Sequence, residues 1–87
     1  MQKFVNAAKE VQTVLEDILG LRGRSAAFTP ETALLGAIPE LDSMAVVAVL
    51  NALEEHFAFN VADDEIDGAT FQTFGSLVAF VEQKLRG

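Results

Sequence analysis

Three segments of this chain carry apolar residues at helical spacing, and none shows the two-residue alternation of a half-buried strand. Phe4, Ala8, Val11, Leu15 and Ile18 follow one helical face, which predicts a first helix from about Phe4 to Leu19. Gly20 is a suitable stop, because glycine takes the left-handed conformation that ends helices. A second helix is expected to start at Asp42 or Ser43, both good N-cap types, and to run through the apolar stretch to Phe57. At about 100° per residue, Val46, Val49, Leu50, Leu53 and Phe57 fall together as its core face. Thr73 is expected to cap a last helix whose Phe74, Leu77, Val78, Val81 and Leu85 line one face. Lys84 and Arg86 stand near its C-terminus, where positive charge complements the helix dipole.

Residues 20–41 form a long connection punctuated by Gly23, Pro30, Gly36 and Pro39. A loop of that length in a small domain either serves function or carries its own packing anchors. Phe28, Leu34, Leu35, Ile38 and Leu41 are the expected anchors, and Thr29-Pro30-Glu31 offers a start for a short helical turn. Beyond the second helix, the acids of Asp63-Asp64-Glu65-Ile66-Asp67-Gly68 favour a short helix closed by Gly68. The pattern predicts an all-α fold, three longer helices plus one short helix with a long loop between the first and second. It is read as one domain over residues 1–87. With 51% hydrophobic residues, the 87-residue chain can build one core, burying roughly 60–65% of its unfolded surface.

Several chemistries are excluded by residue type or spacing. There is no cysteine, hence no disulfide framework, thiolate metal site or cysteine nucleophile, and a single histidine, His56, cannot make a histidine-rich metal site. Ser43 would need His56 as its base to act as a hydrolase nucleophile. On one helix the thirteen positions from 43 to 56 place them roughly 20 Å apart. The G-x-S-x-G elbow is also absent. Asp63-x-Glu65-x-Asp67-Gly68 begins like a calcium loop, but the twelfth position, which needs a bidentate glutamate, is Phe74. No metal site and no catalytic residue are therefore assigned.

Net charge is −7, and no lysine or arginine occurs between Arg24 and Lys84, a span holding ten acids from Glu31 to Glu82. Nucleic acid is an unsuitable partner for such a surface, since phosphate neutralisation needs clustered basic residues. An acidic body instead steers toward basic patches on proteins. The N-terminal stretch is broken by Lys9, Glu10, Glu16 and Asp17, and no segment has the length and apolarity to span a bilayer. The expectation is a cytoplasmic protein that does not insert into membranes and stays monomeric.

What remains is a serine at a helix N-terminus beside an acid, with apolar residues on the outward side of the same helix. Met44, Val47, Ala48, Asn51 and Glu55 fall opposite the core face, so apolar groups stand where water is expected. A phosphodiester at Ser43 would meet free backbone N–H groups and the positive end of the helix dipole. A serine in this place is also, and more often, only a cap.

Leu41-Asp42-Ser43-Met44, at its spacing from Ala52-Leu53-Glu54-Glu55-His56-Phe57, resembles the acyl carrier protein family. Leu34-Leu35-Gly36 before the motif and Phe71-x-Thr73-Phe74-Gly75-Ser76-Leu77-Val78 after it extend the similarity over most of the chain. The resemblance implies a four-helix carrier fold in which a dedicated phosphopantetheinyl transferase attaches 4′-phosphopantetheine to Ser43. The thiol of that arm holds an acyl group as a thioester, supplying the thiol that the chain lacks. By the same resemblance Asp42 helps the transferase recognise the site. Met44, Val47, Ala48 and Asn51 fall on positions that contact acyl-loading and acyl-processing enzymes, and Glu54 and Glu55 add charge.

Two positions depart from the family pattern of primary fatty acid synthesis, where acids are usual: they are Ala45 and Ala48. The more apolar face implies a specialised lipid, polyketide or cell-envelope pathway. The tail from Phe74 to Glu82 also resembles carriers associated with exosortase and exopolysaccharide systems. The rival reading is an unmodified helical interaction module that docks through Met44, Val47 and Ala48.

Overall fold

The structure, a computed structural model, describes residues 6–86. It contains α1 (Ala7–Leu19), α2 (Ser43–Phe57) and α3 (Phe74–Arg86), with 3₁₀ turns at Arg24–Ala27 and Asp63–Glu65. Among the described residues there is no strand, only an isolated antiparallel bridge between Ala33 and Thr73. The all-α expectation holds, with the short fourth helix reduced to a three-residue 3₁₀ turn. Gly68 does not close that turn. The chain leaves it at Ile66 in extended conformation, and Asp67 then accepts from the N–H groups of Ala69 and Thr70 to form the next turn.

α1 begins where Asn6 caps it, its Oδ1 accepting from the Lys9 N–H at 3.1 Å; the expected start at Phe4 lies outside the described residues. It ends as expected at Gly20, φ 62°, whose N–H donates to the Glu16 carbonyl at 3.0 Å. Its buried stripe is Ala7, Val11, Val14, Leu15 and Leu19, and this stripe packs against both α2 and α3. Ile18 was expected on the core face. It is 42% exposed although it shares the helical angle of Val11, because it lies in the last turn of α1 and lines the open groove between α1 and α2.

The long connection is held by its own anchors and by pairing with the segment that leads into α3. Leu34 and Leu41 are buried, and Phe28 and Ile38 pack half-buried against the core. Leu35, expected to dock, is 45% exposed; the chain turns at Leu34, whose carbonyl receives both the Ala37 and Ile38 N–H groups. Thr29-Pro30-Glu31 makes a single turn closed by the Thr32 N–H to the Thr29 carbonyl. The N–H groups of Leu34 and Leu35 donate to Gln72 and Phe71. In return the first N–H groups of α3, from Phe74 and Gly75, donate to Thr32 and Pro30 at 2.8 and 2.9 Å. Thr73 completes the cap, its Oγ1 accepting from the Ser76 N–H while Ser76 Oγ accepts from the Thr73 N–H.

α3 buries Phe74, Leu77, Val78 and Val81, and Phe28 tilts onto Phe74 at 5.4 Å between ring centroids. Leu85, read as part of that face, lies in the last turn and is 40% exposed. Lys84 bridges to Glu65 at 2.9 Å, fastening the end of α3 to the second 3₁₀ turn. Val49 and Leu53 are the fully buried residues of α2, with Val46, Leu50 and Phe57 half-buried around them. α2 therefore contributes a narrow core face and leaves its opposite side outward.

Candidate functional site

The start of α2 is fixed from both sides. Leu41 is buried, and its N–H donates to the Ile38 carbonyl at 2.9 Å. Asp42 then takes an extended conformation, its Oδ1 accepting from the Ala45 N–H at 2.8 Å and its carbonyl from the Val46 N–H at 2.9 Å. The cap is thus Asp42, and Ser43 is the first residue of the helix proper.

With the capping role taken by Asp42, the Ser43 side chain is released from it. Ser43 is exposed, and its hydroxyl has no hydrogen-bond partner among the described residues. The N–H groups of Ser43 and Met44 belong to the first helical turn, where no carbonyl of the same helix reaches them. These free donors, at the positive end of the dipole, fit the oxygens of a phosphodiester on the serine. Met44 beside it is 78% exposed.

Among the described residues no side chain is hydrogen-bonded to the Ser43 hydroxyl, and His56 is engaged elsewhere. His56 sits in the last turn of α2, its Nε2 2.5 Å from Glu10 Oε1 on α1 and its ring edge-on to Phe57. That pair ties α1 to α2 far from the serine. The calcium-like acids are also engaged: Glu65 accepts from the Ala62 N–H and from Lys84, and Asp67 from the turn that follows it. The Ala62 and Lys84 bonds hold the Glu65 carboxyl below the usual carboxylate range. Among the described residues no group of three or more histidines, aspartates or glutamates is arranged to hold a metal ion.

The outward side of α2 continues from the serine. Val47 is 55% exposed, and Ala48, Asn51 and Glu55 are exposed along the next two turns. Ala45 is different: it is half-buried against the core, so the apolar outer surface is carried by Met44, Val47 and Ala48. Glu54 also differs from Glu55. It is half-buried, and its Oε2 accepts from the Val61 N–H at 2.8 Å, which holds the segment after α2 against the helix. Between them lies a hollow of about 260 Å³ lined by Val47, Leu50, Glu54, Val61, Ala62 and Ile66.

Sequence reasoning missed one member of this surface. Ile18 of α1 joins Ala48, Ala52 and Glu55 along an open groove between α1 and α2. Only the crossing of the two helices brings it there, so helical spacing alone assigned it to the core.

Residues 9–81 match the family model described as a phosphopantetheine attachment site. A search of the curated proteins returns no match. Among solved structures, the chain is similar to a holo acyl carrier protein from Nitrosomonas europaea determined by solution NMR. The two share 52% identity over 95% of this chain and all of the other, with a TM-score of 0.88. The chain belongs to the acyl carrier protein family. It is a carrier of acyl groups on a covalently attached 4′-phosphopantetheine arm, modified by a phosphopantetheinyl transferase and served by acyl-processing enzymes. That membership displaces the reading of an unmodified interaction module. Among the described residues no helix is long and apolar enough to cross a membrane.

Proposed function

We propose that Ser43 is the residue that bears the arm, and that the chain delivers acyl thioesters to enzymes of a specialised lipid, polyketide or cell-envelope pathway. The observation that carries the attachment point is the division of labour at the start of α2: Asp42 caps the helix and leaves the neighbouring hydroxyl exposed and unpaired. The arm's thiol supplies the thioester chemistry. The chain's own residues hold the serine at the surface, offer N–H groups to the phosphodiester, and present a docking face.

Asp42 has a second task in this reading. Its Oδ1 is committed to the cap, and the charge of the carboxylate remains at the surface for the transferase to recognise. Partner enzymes dock on Met44, Val47, Ala48 and Asn51, with Glu54 and Glu55 completing the electrostatic match. The apolar character of this face, with Ala48 where an acid is usual in primary fatty acid synthesis, supports partners that present an apolar contact. The protein works as a monomeric, single-domain, cytoplasmic carrier over residues 1–87, without catalysis of its own.

Incubation with coenzyme A and a phosphopantetheinyl transferase, followed by intact mass, tests the attachment point. Wild type gains one arm. Ser43→Ala gains none while keeping its helical circular dichroism, and an arm on the Ser43→Ala chain would overturn the assignment.

A further inference from the structure

Arg24 is the last cation before a run of 59 residues without lysine or arginine, from Ser25 to Gln83. The fold brings it to Glu40, two residues ahead of the capping Asp42 and three ahead of Ser43. Arg24 Nη2 pairs with Glu40 Oε2, and Arg24 Nε donates to the Leu21 carbonyl at 3.0 Å. The other Glu40 oxygen, Oε1, is shielded from solvent and has no partner among the described residues, so Arg24 is the chief compensation of this carboxylate.

The arginine is itself held from α1. Glu16 accepts from the Gly23 N–H at 2.8 Å and from Ser25 Oγ at 2.6 Å, gripping the residues on either side of Arg24. Ser25 is buried. The turn so gripped contains Arg22 at φ 56° and Gly23 at φ 86°, both left-handed. A non-glycine residue in that region costs energy and persists only where its surroundings over-determine it. A line of polar contacts therefore runs from α1 through a constrained turn to the residues that deliver the serine.

We infer that Arg24 and Glu40 are positioning residues for attachment of the arm: their pair, anchored on Glu16, fixes residues 38–41 and so fixes where Ser43 stands relative to the bound transferase. This rests on the reading that Ser43 bears the arm. In the transfer, Ser43 Oγ attacks the pantetheine-bearing phosphorus of coenzyme A. The bond from that phosphorus to the bridging pyrophosphate oxygen breaks, adenosine 3′,5′-bisphosphate leaves, and the hydroxyl proton passes to a base of the transferase. Such a displacement depends steeply on the placement of its nucleophile, and a small misplacement lowers the rate of the bound complex. Arg24 and Glu40 lie outside α2, the helix that carries the docking face. Its side chains are 54% and 35% exposed, and exposed pairs add little to global stability. Its contribution therefore appears in rate.

The experiment is arm transfer from coenzyme A onto the full-length chain, with kcat and KM for the carrier measured by intact mass. The variants are Arg24→Ala, Glu40→Gln and the charge-exchanged double variant Arg24→Glu/Glu40→Arg. Each single variant is expected to lower kcat about tenfold with KM nearly unchanged, and the exchange to restore most of the loss. Glu40→Gln keeps the side-chain shape and carries the test if Arg24→Ala fails to fold. Unchanged kcat in the single variants overturns the inference, as does a loss that charge exchange leaves in place. Arm transfer onto Ser43→Ala overturns the attachment reading and this inference with it, so the two failures are distinguishable.

Discussion

Gly75, the second residue of α3, lies so close to Pro30 that a methyl group on it would stand 2.7 Å from the Pro30 carbonyl oxygen. The same oxygen accepts the Gly75 N–H at 2.9 Å. The long connection thus closes the N-terminus of α3 by lying directly on its backbone, and only a residue without Cβ permits that approach. Gly75→Ala is expected to destabilise the protein. The overpacking costs about 1–3 kcal/mol against backbone that cannot swing aside. Alanine regains only about 0.5–1 kcal/mol over glycine inside a helix. A thermal or urea unfolding midpoint at or above wild type would contradict this.

Asp42 is expected to separate into a structural and a recognition role by two substitutions. Asp42→Ala removes the acceptor of the Ala45 N–H and costs about 1 kcal/mol. Asp42→Asn keeps an acceptor oxygen and is expected to hold stability near wild type while slowing arm transfer, since it loses the charge proposed for recognition by the transferase. Paired urea titrations and arm-transfer rates check this, and an Asn variant modified at the wild-type rate would remove the recognition role.

Stability should fall with acid for a defined reason. Glu16 is held below the usual carboxylate range by the Gly23 N–H and then by Ser25 Oγ. Glu40 is held low by Arg24, and Glu65 by the Ala62 N–H and then Lys84. Each group binds a proton more readily in the unfolded chain. Its contribution is therefore complete above the ordinary carboxylate range and is lost as pH falls through the depressed folded values. Urea midpoints are expected to be flat near neutral pH and to decline below the ordinary range. Glu16→Gln should lower the neutral-pH midpoint and shallow the acid decline; an unaltered slope would refute the role given to Glu16.

Ala48→Glu tests the docking face. Ala48 is exposed beside Val47, so a carboxylate there leaves the core intact and places a charge on the apolar contact. Affinity for a cognate acyl-processing enzyme, measured by titration calorimetry, is expected to drop with little change in unfolding midpoint. Equal or tighter binding would show that the partner meets this face through basic rather than apolar groups.

Much of the fold was legible because helical spacing and caps are local. Gly20, Asp42 and Thr73 mark helix ends that the structure reproduces, and Val11, Leu15, Val49, Leu53, Leu77 and Val81 are buried where the pattern puts them. The end of α2 also falls where the apolar stretch stops, at Phe57, although Ala58 closes it at φ 58°, a conformation that glycine signals and alanine does not. Ile18 and Leu85 share the spacing of their buried neighbours, yet each lies in the last turn of its helix, where a hydrophobic pattern cannot tell rim from core, and Leu35 sits in a loop turn beside the buried Leu34. Of the site, Asp42, Ser43 and the outward apolar residues were readable from one helix. Glu54 was not, because its bond to Val61 depends on how the chain returns after Phe57.

The order of residues alone determined three amphipathic helices, a serine beside an acid at a helix start and an acidic surface, since each is set by nearby residues. Tertiary structure decided what lies across the gaps. Pro30 against Gly75, Glu16 around the turn at Arg24, Arg24 on Glu40 and Ile18 beside Ala48 join residues of different segments. Such partners are selected by shape and charge once the core has closed, and no local pattern encodes which of them will meet.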